Sequence, residues 1–89
     1  CWQADEFNII TLVSAIVADH SILAKEKGLN LQTDINLAAP HIVNDMRLLQ
    51  QVLIKLLSNA IKFTQTGEIT VKVWDISSDR IAIAIQDSG

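Results

Sequence analysis

The sequence predicts an α+β chain folded as a two-layer α/β sandwich, with helices covering one face of a mixed sheet. Three observations point there. Apolar residues between Ile9 and Ala24 recur at three- and four-residue intervals, the period of an amphipathic helix. A second stretch of that kind runs from about Met46 to Phe63. Beyond it, Ile69 to Ile76 and Arg80 to Gln86 alternate apolar and polar residues across a short gap, as paired strands do.

Taken in order, Phe7, Ile9 and Ile10 open the chain as a short strand leading into the first helix. Positions 12, 13, 16, 17, 23 and 24 carry its apolar side. Lys25 and Lys27 followed by Gly28 predict its end: cations suit a helix C-terminus, and glycine tolerates the left-handed turn that follows. Leu29, Leu31, Thr33 and Ile35 alternate with polar neighbours as a half-buried strand, which Ala38-Ala39-Pro40 interrupts. His41-Ile42-Val43 reads as a brief strand, and Asp45 as the N-cap of the second helix. Thr64 to Gly67 form a turn, and Ser77-Ser78-Asp79 joins an antiparallel final pair. In that pair Ile69, Val71, Val73 and Asp75 share one face, as do Ile81, Ile83 and Ile85, with Ala82, Ala84 and Gln86 opposite.

At 89 residues, 49% of them hydrophobic and 19% charged, the chain is ordered and at most one small domain. A net charge of −3 speaks against nucleic acid as a partner, because phosphate binding needs a basic patch. The single Cys1 offers neither a disulfide nor a metal cluster and fits a reducing compartment. Ile9 to Ala24 is too polar and too short to span a bilayer, so any membrane or sensor region is expected outside these residues. A start without Met and an abrupt stop at Asp87-Ser88-Gly89 predict an excised piece of a longer protein.

On the second helix, at 100° per residue, Gln51, Lys55, Ser58, Asn59 and Lys62 fall within roughly a 100° sector. Leu49, Val52, Leu53, Leu56, Leu57, Ala60 and Ile61 fill the rest. Such a polar stripe is ordinarily a solvated face. It also holds an amide oxygen of the kind that coordinates Mg²⁺ and lysines that can pair with phosphate.

The stretch from Gln51 to Thr64, Gln-Val-Leu-Ile-Lys-Leu-Leu-Ser-Asn-Ala-Ile-Lys-Phe-Thr, closely resembles the N-box of sensor histidine kinases, within the GHKL ATPase superfamily. Asp45, Leu49 and Gln51 match the run into that helix. Phe7, Lys27-Gly28-Leu29 and Pro40 stand at the family's spacings, Gly67-Glu68-Ile69 opens its hairpin, and Asp87-Ser88-Gly89 resembles the aspartate-x-glycine G1 box. The resemblance covers nearly the whole chain and implies the N-terminal portion, residues 1–89, of a single GHKL-type (Bergerat) domain, an incomplete version of that fold.

The resemblance further implies ATP and Mg²⁺ as cofactors. Asn59 matches the asparagine that holds Mg²⁺ between the phosphates, and Lys62 a position that approaches them. Asp87 matches the carboxylate that accepts from the adenine amino group, a buried acceptor that tells an amino group from a carbonyl. Gly89 lets the backbone come close to the base. The implied parent is a cytoplasmic two-component kinase with a histidine-containing dimerisation domain and a downstream response regulator as partners.

Lys55 departs from the pattern, standing where the family usually has a first N-box asparagine, and Leu48 replaces a common arginine beside Arg47. A protonated lysine neither accepts a proton nor binds metal, so no residue here is assigned as catalytic. Neither His20 nor His41 matches a phosphoacceptor motif. His20 falls on the apolar side with Ile9, Val13, Ile16 and Leu23 and reads as a semi-buried core histidine, whereas His41 reads as a surface residue. The lid and later glycine-rich boxes are not among these residues, which predicts that the 89 residues alone are not an active kinase. Lys55 keeps a second reading open, a degenerate non-catalytic module that binds nucleotide or protein. An unpaired strand edge would also favour self-association.

Overall fold

The structure, a computed structural model, describes residues 4–78 and 80–88. Seven elements follow one another: β1 (Asp5–Asn8), α1 (Ile9–Glu26), β2 (Asn30–Asn36), β3 (His41–Asn44), α2 (Met46–Phe63), β4 (Glu68–Ser77) and β5 (Arg80–Asp87). The two helices and five strands have the α+β architecture expected. The strands divide, however, into a two-stranded ribbon β1-β3 and a three-stranded sheet β2-β4-β5. In the larger sheet β2 runs parallel to β4 and β5 antiparallel to it.

The first strand ends earlier than Ile9 and Ile10 suggest. Asn8 is the N-cap of α1, its side chain accepting from Thr11 N at 3.1 Å, and Ile9 N donates to Pro40 O at 2.9 Å. Both bonds satisfy first-turn donors that the helix itself leaves open, so the helix begins at Ile9. At the other end Gly28 has φ +77°. Gly28 N donates to Lys25 O and Leu29 N to Ala24 O, both at 2.9 Å, the paired bonds of a Schellman ending. Ala24 and Leu29 are both buried there, and Leu29 closes the helix instead of opening β2.

α2 starts where the sequence places it. Asp45, only 6% exposed, accepts from Leu48 N at 3.1 Å, and Asn44 Oδ1 receives Asp45 N at 2.7 Å. Its buried stripe is Leu53, Leu57 and Ile61, narrower than expected: Val52 is 46% and Leu56 47% exposed. With the core direction at Leu57, Val52 lies roughly 140° and Leu56 roughly 100° away around the helix, which accounts for their exposure. On α1, Ile9, Val13, Ile16 and Ala24 are buried while Leu23 is half exposed.

These side chains meet Ile69, Val71 and Val73 of β4 in one core. β5 aligns Ile85 with Val71 and Ile83 with Val73, but its isoleucines are only half-buried, because β5 is the sheet's edge. Asp75 is exposed and accepts from Ala38 N at 2.8 Å, so it pins the β2–β3 connection instead of sharing the core face. A register shift between Asp75 and Ser77 follows. Among the described residues no helix is long and apolar enough to cross a membrane.

Candidate functional site

α2 ends beside the end of β5, and there the two sequence motifs touch. Thr64, the C-cap of α2, donates its amide to Ala60 O at 2.9 Å. It is 5% exposed. Its hydroxyl donates to Asp87 Oδ2 at 3.2 Å. One oxygen of the carboxylate is thereby oriented, and the group keeps further lone pairs for another donor. Asp87 is exposed rather than buried as the resemblance implies, because it stands at the end of the edge strand β5. Asp87 is held at that place by its neighbours: Ser88 N donates to Glu68 O at 3.0 Å, and Glu68 N donates to Ser88 Oγ at 2.9 Å. Gly89, expected to let the backbone come close to the base, lies outside the described residues.

The polar stripe of α2 is only partly a solvent face. Gln51, Lys55, Asn59 and Lys62 are exposed. Lys55 and Asn59 stand one turn apart on one side, as Asn59 and Lys62 do. Lys62 Nζ lies 5.4 Å from the centroid of the Phe63 ring, a cation–π contact that stabilises its placement by about 0.5–1 kcal/mol at a wet site. Ser58 leaves the stripe. It is half-buried, and its Oγ lies 3.3 Å from His20 Nε2 across the seam between the helices. His20 Nδ1 lies 2.8 Å from Ile16 O. A carbonyl only accepts, so Nδ1 donates, and in the neutral ring Nε2 accepts the Ser58 proton. His20 is therefore a semi-buried structural histidine, as expected, while His41 is exposed on β3.

Two residues at this site escaped the sequence reading. Thr64 closes the N-box stretch, yet a threonine at a helix end looks like an ordinary turn residue. Lys27 looked like a cation for the end of its own helix. Its ammonium instead donates to three carbonyls at the end of α2: Ile61 O at 2.5 Å, Lys62 O at 3.1 Å and Thr64 O at 3.2 Å.

The donor set suits a nucleotide with its metal. Asn59 offers a hard amide oxygen, and Mg²⁺ is commonly held through one or two protein ligands together with phosphates. Lys62 offers a cation one turn on, and Asp87 a fixed acceptor some distance away at the end of β5. Asn59, Lys62 and Asp87 are thus disposed around one end of α2. Among the described residues no three His, Cys, Asp or Glu side chains come together as a metal site.

Residues 44–89 match the family model described as histidine kinase-, DNA gyrase B-, and HSP90-like ATPase. The chain is 40% identical to the autoinducer 2 sensor kinase/phosphatase LuxQ of Vibrio cholerae, over 98% of its own length and 11% of that protein. It is 39% identical to the aerobic respiration control sensor protein ArcB of Escherichia coli, over 78% of its length and 9% of that protein. Among solved structures, full-length ShkA in complex with AMPPNP superposes with a TM-score of 0.90 at 26% identity, covering 98% of this chain and 19% of that one. The chain spans about a tenth of the length of the two sensor proteins.

Proposed function

Because the chain belongs to the histidine kinase-, DNA gyrase B-, and HSP90-like ATPase family and is the ATP-binding part of a sensor histidine kinase, we propose that it forms the first half of a nucleotide site serving protein-histidine phosphorylation. Residues 1–89 are in this reading the N-terminal portion of one ATP-binding domain. Asp87 accepts from the adenine amino group, with Gly89 giving the base close approach to the backbone. Asn59 is the protein's oxygen ligand for Mg²⁺, and Lys62 faces the phosphates. The bound metal and nucleotide supply the transferable phosphoryl group and neutralise its charge. The protein's part is to hold base and phosphates at a fixed separation.

The observation that carries this reading is the Thr64–Asp87 hydrogen bond. It joins the end of the N-box helix to the acceptor for the base, so one rigid element sets both ends of the ligand. In the parent, the γ-phosphate goes to a histidine of the dimerisation domain and then to a response regulator, in the cytoplasm. The test is a Mg²⁺-ATP titration of the chain followed by amide NMR, repeated with Asn59→Ala and Asp87→Ala. Expected are shifts around both positions that each variant abolishes. A folded chain with no shifts refutes the assignment.

A second reading rests on Lys55, exposed one turn before Asn59. An ammonium there repels a divalent cation and favours a non-catalytic module that binds nucleotide without metal. The same titration in Lys55→Asn separates the two: a gain in Mg²⁺-dependent affinity supports that module reading for the natural sequence. Equal Mg²⁺ dependence in both proteins supports the catalytic one.

A further inference from the structure

The ammonium of Lys27 and the Thr64–Asp87 pair lie in one continuous chain of hydrogen bonds, and we infer that Lys27 is a positioning residue for the base-binding end of the site. This inference rests on the nucleotide reading of Asp87 given above. Lys27 is the C-cap of α1, yet its side chain reaches across to the last turn of α2. There it donates to the carbonyls of Ile61, Lys62 and Thr64. These belong to the carbonyls that a helix cannot satisfy within itself, and a cation at that end also opposes the partial negative charge of the helix dipole. Three charge-assisted bonds to one short segment fix its backbone far more strongly than a single surface ion pair would.

What that segment carries gives the clamp its purpose. The carbonyl of Thr64 receives Lys27, while the Thr64 hydroxyl donates to Asp87. The backbone of Lys62 is held by the same ammonium. Gly28 follows Lys27 directly with φ +77°, and the Schellman bonds around it fix where the lysine's stem leaves α1. The length and direction of the Lys27 side chain therefore set the position of the α2 end relative to α1. Through Thr64 they set the direction in which Asp87 offers its free lone pairs.

The test compares Lys27→Met, which keeps the stem and removes the donors, with Lys27→Arg, which keeps the cation. Amide hydrogen exchange is read at Thr64, whose N–H bonds Ala60 O, and at Leu53 in the middle of α2 as an internal control. In Lys27→Met, Thr64 exchanges about tenfold faster with Leu53 unchanged, the resonances of Asp87 move, and Lys27→Arg restores most of both. Adenosine, which lacks phosphates, binds Lys27→Met about fivefold more weakly than the natural sequence. Thr64 exchange and Asp87 resonances that are unaltered in Lys27→Met overturn the inference. So does a loss of protection spread evenly over both helices, which would make Lys27 a general stabilising residue. If the natural sequence binds no adenosine, the nucleotide reading fails, while exchange at Thr64 and the response of Asp87 still decide the clamp.

Discussion

A carboxylate has about four lone-pair directions, and one of those on Asp87 is taken by the Thr64 hydroxyl. The bond costs little to make and removes freedom that a ligand would otherwise have to remove on binding. Thr64→Val keeps the shape and deletes the hydroxyl. Because the residue is buried and one neutral-to-charged hydrogen bond is lost, adenosine affinity is expected to fall about fivefold to tenfold. Isothermal titration at a temperature where both proteins are folded reads this directly; equal affinities would remove Thr64 from the site. Asn59, Lys62 and Asp87 were singled out through the resemblance of the N-box and G1-box stretches, since spacing alone reads as a solvated face, whereas Thr64 and Lys27 were not singled out as site residues at all. Their roles depend on partners that are distant in sequence: Lys27 reaches Thr64, 37 positions on, and Thr64 reaches Asp87, 23 positions on. Ser58 was misplaced for a related reason. It stands at the margin of the polar stripe nearest α1, and only the packing of the helices turns it toward His20.

Among the elements, α2 is the one that the sequence specifies most completely. Its start is fixed by Asp45 and its end by Thr64, both residue types that favour caps or turns, and its bounds were readable to the residue. Asp45→Ala is expected to lower unfolding free energy by about 1–2 kcal/mol, the loss of a helix cap at a buried position. Chemical denaturation measures it, and a change under about 0.3 kcal/mol would show that the cap contributes nothing. β1 was less legible. Ile9 and Ile10 have the branched side chains of a strand, but Asn8 caps the helix and Pro40 supplies the acceptor for Ile9 N. Tertiary context overrode propensity there. The pairing of β1 with β3, from Asp5↔Asn44 to Asn8↔His41, is likewise invisible to local pattern.

For the molecule as a whole, layer arrangement and core followed from periodicity, because the buried residues of β4 and α2 repeat at every second and every fourth position. The division into two sheets did not, since strand partners are chosen by topology rather than by composition. The unpaired side of β5 leaves backbone donors and acceptors of Arg80 to Asp87 open among the described residues, above isoleucines that are only half-covered. An edge of that kind is a template for another strand. Sedimentation of the chain across a range of concentrations is expected to show a growing dimer fraction; a single monomer species at the highest concentration would contradict it.

The parallel pairing of β2 with β4 also has a kinetic side. Gln32 and Thr70, neighbours across that ladder, are 38 positions apart in the chain, whereas β5 doubles back on β4 through a tight turn, with Ser77 opposite Arg80. The hairpin can close in about 1–10 μs. Pairing β2 with β4 instead closes a longer loop that contains β3 and α2, at a greater cost in chain entropy. The docking of β2 is therefore expected to follow closure of the β4–β5 hairpin.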